Sequence, residues 1–352
     1  MRSRLATIIT ILVIVVAGLI IFCELVYVPP SRKAPKSIAV DVDANDAFEE
    51  MKPAILPDDK KLDAEQLQDD NTDDEKKEAI LLVHGAYGSN ALWQHIIANA
   101  WPKERRSQYQ IVIPSLYGHG KSPHPMSMKY TVKEHVDSLL DVLRRFVPPG
   151  RRLHVVGLSL GAPLSIALCA RLVRTLAPWP LHSLVLVAPA YFSSMDRATV
   201  LKDLSPYLKS TLQNTKYIVG QYVIPKFRFI IDPFLLMVFK KRLQNSEYLN
   251  QTIRNAVGAN IHVLACSFES LMVRYDVDAG LVTLREVSLP ITVIDGEMDT
   301  IYKYDPNRAD MMRVVGPHGR RCTIANGDHL FCIFQPQLFV DRLLEHFHTV
   351  KS

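Results

Sequence analysis

The sequence predicts an α/β protein, a mostly parallel sheet covered by helices on both faces. Two observations predict it. From residue 79 onward, short apolar runs of strand length alternate with stretches of helical length and periodicity. One of those runs, Leu153-His154-Val155-Val156, leads straight into Gly157-Leu158-Ser159-Leu160-Gly161, and a helical stretch follows at once.

The expected order is strand 79–83, helix 90–100, strand 109–113, helix 131–147, strand 152–156 and helix 160–175. After strand 183–188 comes a long insert, then strand 289–295, a short helix near 306–315, strand 320–325 and a closing helix from about Gln335 to Val350. Within helix 131–147, Val132, His135, Val136, Leu139, Leu140 and Leu143 form an apolar stripe at helical spacing, the side that packs on the sheet. The insert, about residues 191–286, is too long for a plain loop in a compact domain. It reads as a helical cap over the site. Its apolar stretch 217–239 is broken by Pro225 and Pro233 and fits either a packed cap core or a lid lying on a membrane surface.

Strand, Gly-x-Ser-x-Gly, helix is the context of a nucleophile elbow. The chain turns sharply there, so Ser159 is held proud of the sheet, and glycines stand where side chains would collide. A serine needs a base to take its proton and an acid to orient that base. Both follow in the expected order. Strand 289–294 opens into Asp295-Gly296-Glu297-Met298-Asp299, and strand 322–325 runs into Asn326-Gly327-Asp328-His329. His329 is the candidate base. Asp299, past the tight turn, is the preferred acid, and Asp295, Glu297 and Asp328 are further candidates. An oxyanion hole is expected from the backbone N–H of Leu160, after the serine, and of Ala86, after His84-Gly85 at the end of strand 79–83. His84 reads as a residue that shapes this loop.

These blocks, with Trp93 and Tyr117-Gly118-His119-Gly120-Lys121-Ser122, resemble the α/β-hydrolase superfamily, particularly its lipase, esterase and haloperoxidase-like branch. The resemblance runs from about residue 78 to the C-terminus. It departs from the common pattern at Ser115, Leu158 and Asp328. It implies the α/β-hydrolase fold with the cap between strands 6 and 7 of the family scheme. It also implies Ser159 as nucleophile, Asp299 as acid, His329 as base, and Ala86 and Leu160 as oxyanion donors.

Three segments are expected. Residues 1–28 carry an apolar run, Leu5 to Phe22, flanked by Arg2 and Arg4 and by Arg32 and Lys33, and read as a retained single-pass membrane anchor. The flanking cations balance, so the positive-inside rule assigns no orientation. Residues 29–78 read as an acidic, mostly disordered tether, with an edge strand near Ser37 to Val42. Positions 41–78 hold fifteen Asp or Glu against five Lys. Their net of −10 against the chain's +5 leaves the remainder at +15, a basic body suited to anionic head groups. Residues 79–352 are the hydrolase domain.

The basic residues are dispersed and no recognition motif appears, so no nucleic-acid partner is expected. No phosphate loop is present and no cofactor is expected. Cys23, Cys169, Cys266, Cys322 and Cys332 have neither zinc spacing nor a disulfide framework, and no metal is expected. The expected activity is hydrolysis of carboxylic esters with an apolar acyl part, monoacylglycerol-like lipids among them, through an acyl-enzyme. Two alternatives stay open: an amidase or aminopeptidase of the same fold, and a non-catalytic binding module on the same scaffold.

Overall fold

The computed structural model describes residues 58–67, 78–86, 88–125, 128–191, 263, 266–267, 270–271, 275–299 and 304–351. In chain order these form β1 (Ala64–Leu67), β2 (Glu78–Val83), α1 (Asn90–Ala100), α2 (Lys103–Arg106), β3 (Tyr109–Pro114), α3 (Val132–Phe146), β4 (Leu153–Leu158) and α4 (Gly161–Arg174). They continue with β5 (Leu181–Val187), α5 (Val277–Glu286), β6 (Ile291–Gly296), α6 (Tyr304–Val315), β7 (Gly319–Ile324), α7 (Phe331–Phe334) and α8 (Pro336–Lys351).

The seven strands make one sheet in the order β1-β3-β2-β4-β5-β6-β7, parallel except for β1, which runs antiparallel to β3. The central strands are apolar throughout because both faces are covered. Side chains alternate across the sheet and feed two cores. Ala79, Leu81 and Val83 of β2 point into the core that holds the buried faces of α3, α4 and α5. Ile80 and Leu82 point into the other, with Trp93 of α1 and Phe339 and Phe347 of α8. The stripe read on helix 131–147 is buried as expected. That helix starts at a capping box in which Thr131 Oγ1 accepts from Glu134 N–H, and the Glu134 carboxylate accepts from Thr131 N–H at 2.8 Å.

The chain leaves β2 toward β3, then crosses back over β2 to form β4. Ligand crevices of α/β sheets open outside the carboxyl ends of strands at such a reversal. Val83 pairs with Gly157 there, which brings the loops after β2 and β4 side by side.

Three expectations change. Part of the stretch read as an acidic tether is folded: Leu62 is buried, β1 pairs with β3, Tyr117 Oη donates to Lys60 O at 2.8 Å, and Arg145 donates to Leu62 O at 3.0 Å. The edge strand expected near 37–42 lies outside the described residues. The insert opens after β5 and precedes β6, and most of the expected cap, from residue 192, lies outside the described residues too. Its last ten residues are α5, whose Leu281 and Leu284 sit in the core beside α4, so they belong to the body.

The third change concerns location. Among the described residues no helix is long and apolar enough to cross a membrane, which overturns the expected single-pass membrane placement. The apolar stretches of the described residues are short buried strands and helices that turn one face into the core. The 1–28 run lies outside the described residues.

Candidate active site

β4 ends at Leu158 and α4 begins at Gly161, which leaves two residues for the turn. Ser159 absorbs it with φ 51°, a left-handed backbone that costs a non-glycine residue about 1–2 kcal/mol. Hydrogen bonds to β5, to the residues just after it and to α4 hold it there. Ser159 N–H donates to Val187 O at 2.8 Å, and Ser159 O accepts from Ala162 N–H at 3.0 Å and Ala190 N–H at 3.1 Å. The flanking glycines are a matter of space. A Cβ on Gly157 would stand 2.6 Å from Gly161 O, and one on Gly161 would stand 2.5 Å from His84 O.

The His329 ring bridges the other two expected groups. Its Nε2 lies 3.0 Å from Ser159 Oγ and its Nδ1 lies 2.8 Å from Asp299 Oδ2. A carboxylate only accepts, so Nδ1 carries the ring proton and Nε2 is left as an acceptor for the serine hydroxyl. The site is enclosed yet reachable: Ser159 is 7 % exposed, Asp299 4 %, and the His329 side chain 12 %.

The loops carrying Asp299 and His329 are clasped to each other. Met298 N–H donates to Gly327 O at 2.7 Å, Glu297 N–H to Ile324 O at 3.0 Å, and the Glu297 carboxylate accepts from Asn326 N–H at 2.9 Å. Glu297 is therefore a loop brace. Asp328 is likewise occupied, capping Leu330 N–H at 2.8 Å. Asp295 points elsewhere. Buried at the end of β6, it accepts from Arg321 Nε at 3.0 Å and Thr323 Oγ1 at 2.9 Å, with Arg308 Nε at 3.6 Å. Burial pushes its pKa up, opposed chiefly by Arg321. Nothing local in the sequence marks Arg308 and Arg321. Arg321 enters β7 two residues before Thr323, the register partner of Asp295, and strand alternation then sets both on one face.

Leu160 is buried at the N-terminal end of α4, where backbone N–H groups lack intrahelical acceptors and the helix dipole favours negative charge. Ala86 occupies the turn after β2, half-buried. His84 shapes that turn. Its Nε2 accepts from Leu116 N–H at 2.8 Å, which puts the ring proton on Nδ1, 2.7 Å from Gly85 O. Burial, and secondarily His119, drive its pKa down to about 3, so the ring stays neutral and structural.

A strained serine at a strand–helix turn, with a histidine and a carboxylate arriving from later strands, defines a class of hydrolases. Residues 80–342 match the sequence profile of the Alpha/beta hydrolase family, and the chain belongs to that family. It is 34% identical over 125 residues to the protein named probable lysophospholipase BODYGUARD 1 of Arabidopsis thaliana, a match covering 35% of this chain and 25% of that protein. The chain thus spans about a quarter of the length of that relative. Lipase 1 of Psychrobacter immobilis is 24% identical over 262 residues, 72% of this chain and 71% of that one. A bromoperoxidase from Bacillus anthracis shares the fold with a TM-score of 0.60 at 16% identity, covering 81% of this chain and 94% of its own.

Proposed function

We propose that this chain is a serine esterase acting on carboxylic esters with apolar acyl groups, lysophospholipid- and monoacylglycerol-like lipids foremost. The observation that carries the reading is the His329 ring, in hydrogen-bond range of Ser159 Oγ on one side and Asp299 on the other. Ser159 Oγ attacks the acyl carbonyl carbon as its proton passes to His329 Nε2. Asp299 holds the tautomer and stabilises the imidazolium. The N–H groups of Ala86 and Leu160 receive the oxyanion. As the tetrahedral intermediate collapses, the bond to the leaving alcohol breaks and His329 Nε2 gives its proton to the alcohol oxygen. Water, deprotonated by the same nitrogen, then attacks the acyl carbonyl, and the bond to Ser159 Oγ breaks as His329 returns the proton to that oxygen, releasing the acid.

The preference for lipid esters is supported by the relatives named as a lysophospholipase and a lipase. A fluorophosphonate probe compared on wild type and Ser159→Ala tests the chemistry. Labelling of the wild type alone is expected, and equal labelling of both, or none in folded wild type, refutes it. A panel of acyl-chain lengths on esters, set against amino-acid amides, tests the substrate class.

A further inference from the structure

The opposite end of the sheet carries a second group of reactive side chains. Glu78 opens β2, while His154 and His182 are the second residues of β4 and β5. Leu153 pairs with Leu181 and His154 with Ser183, so the register slips by one residue and His182 is the extra one. A bulge of this kind re-aims a side chain, and bulges collect beside functional sites.

The donors converge. His154 Nε2 lies 3.3 Å from Glu78 Oε2, and its Nδ1 lies 2.7 Å from Ser183 Oγ. The His182 ring stands edge-on to that of His154, centroids 5.1 Å apart. One ligand atom from each of Glu78, His154 and His182 falls within 4.8 Å of the other two. The His154 side chain is fully enclosed and that of Glu78 is 12 % exposed. His182 Nε2 is shielded from solvent and has no hydrogen-bond partner among the described residues.

One of these facts calls for a further partner. A buried imidazole nitrogen with nothing to bond is destabilising. His154 Nδ1 can accept from the Ser183 hydroxyl or donate to it, which leaves Nε2 to meet the Glu78 carboxylate through a proton or through a metal ion. A proton would serve that pair and leave His182 unsatisfied. A metal ion serves all three. Ligands of a tetrahedral zinc ion, bound at about 2.0–2.1 Å, stand about 3.3 Å apart. Two imidazoles and one carboxylate, with an orienting hydroxyl on the far nitrogen of one histidine, suit zinc and its neighbours in the first transition row.

We propose that Glu78, His154 and His182 bind a divalent transition-metal ion, zinc by preference, with water completing the coordination. His154 lies five residues before Ser159, about 17 Å along an extended strand, so the ion stands apart from the esterase site. It ties together the opening ends of β2, β4 and β5. Arg152, 3.4 Å from the other Glu78 oxygen, balances the carboxylate charge from outside.

The test uses the full, untagged chain, stripped with a chelator and then exposed to zinc chloride or cobalt(II) chloride. The expected wild-type result is about one zinc per chain after desalting, a Tm raised by at least about 3 °C, and visible d–d absorption of tetrahedral intensity with cobalt. Glu78→Gln and His182→Ala should each lose the retained metal and the Tm rise. If the variants fail to fold, the wild-type cobalt spectrum decides alone. A folded, stripped wild type that retains no zinc and gives no such band overturns the proposal, as do variants that bind and respond like wild type. Ester hydrolysis is read separately, since failure of the metal site leaves the Ser159 chemistry standing.

Discussion

Asp299 Oδ2 lies 2.8 Å from His329 Nδ1, while Asp295, at the end of the strand that leads to it, is bonded to Arg321 and Thr323. Two carboxylates four residues apart are thus sorted by the turn at Gly296, one toward the ring and one into a buried ion cluster. Asp299→Asn should leave the fold intact and cut kcat by about 10⁴-fold, because an amide that donates to Nδ1 selects the wrong tautomer. Steady-state kinetics with a short-chain ester, alongside a thermal melt, checks both halves.

Asp295 should behave in the opposite way. Asp295→Ala leaves the Arg308 and Arg321 guanidiniums without their shared carboxylate, and Arg308 is fully buried. Breaking a buried pair costs about 3–5 kcal/mol. Chemical denaturation should register a loss of that size, and the fraction still folded should keep most of its kcat. A stable Asp295→Ala with abolished turnover would instead make Asp295 the acid.

The elbow is sterically tight. Gly161→Ala places a methyl group 2.5 Å from His84 O, a backbone atom of the loop that carries Ala86. Overpacking of this kind costs about 1–3 kcal/mol. Because the strained atoms lie between Ser159 and the loop proposed to supply an oxyanion donor, kcat should fall by more than the melting temperature alone would suggest. Paired measurement of Tm and kcat settles it.

Acid sensitivity follows from the buried histidines. Burial drives His84, His135 and His346 down to about 3 in the folded chain, from an ordinary value near 6.5. Between those values the unfolded chain binds protons that the folded one refuses, so stability rises with pH across the window. Their contribution is complete above about pH 6.5 and is lost as the pH falls toward 3, by up to about 1.4 kcal/mol per pH unit for each ring. His135→Gln should flatten the slope of unfolding free energy against pH between 6.5 and 4. An unchanged slope would show that the ring titrates normally in the fold.

Much of this arrangement is legible in the sequence, for physical reasons. Strands buried on both faces leave apolar runs, and β2, β4 and β5 were readable for that reason. The elbow is readable because sterics demand its glycines, and His329 because it follows the last strand, in the loop ahead of the closing helix. β1 is not readable: Ala-Glu-Gln-Leu carries no period, and its place is set by pairing with β3 and by Leu62 beneath. α5 hides at the end of a long insert because nothing local distinguishes a cap helix from one packed on α4. Which of four acids meets the ring depends on loop hydrogen bonds such as Met298 N–H to Gly327 O, between segments almost thirty residues apart. The bulge at His182 is a pairing event between two strands, and neither strand announces it alone.

The central claim is that Ser159 becomes acylated with His329 as its base. Peptide mass mapping after reaction with a mechanism-based phosphonate tests it most directly. The account predicts one adduct, on the peptide containing Ser159, formed in wild type and lost in His329→Gln. An adduct on any other serine, or undiminished labelling of Ser159 in a folded His329→Gln, would contradict it.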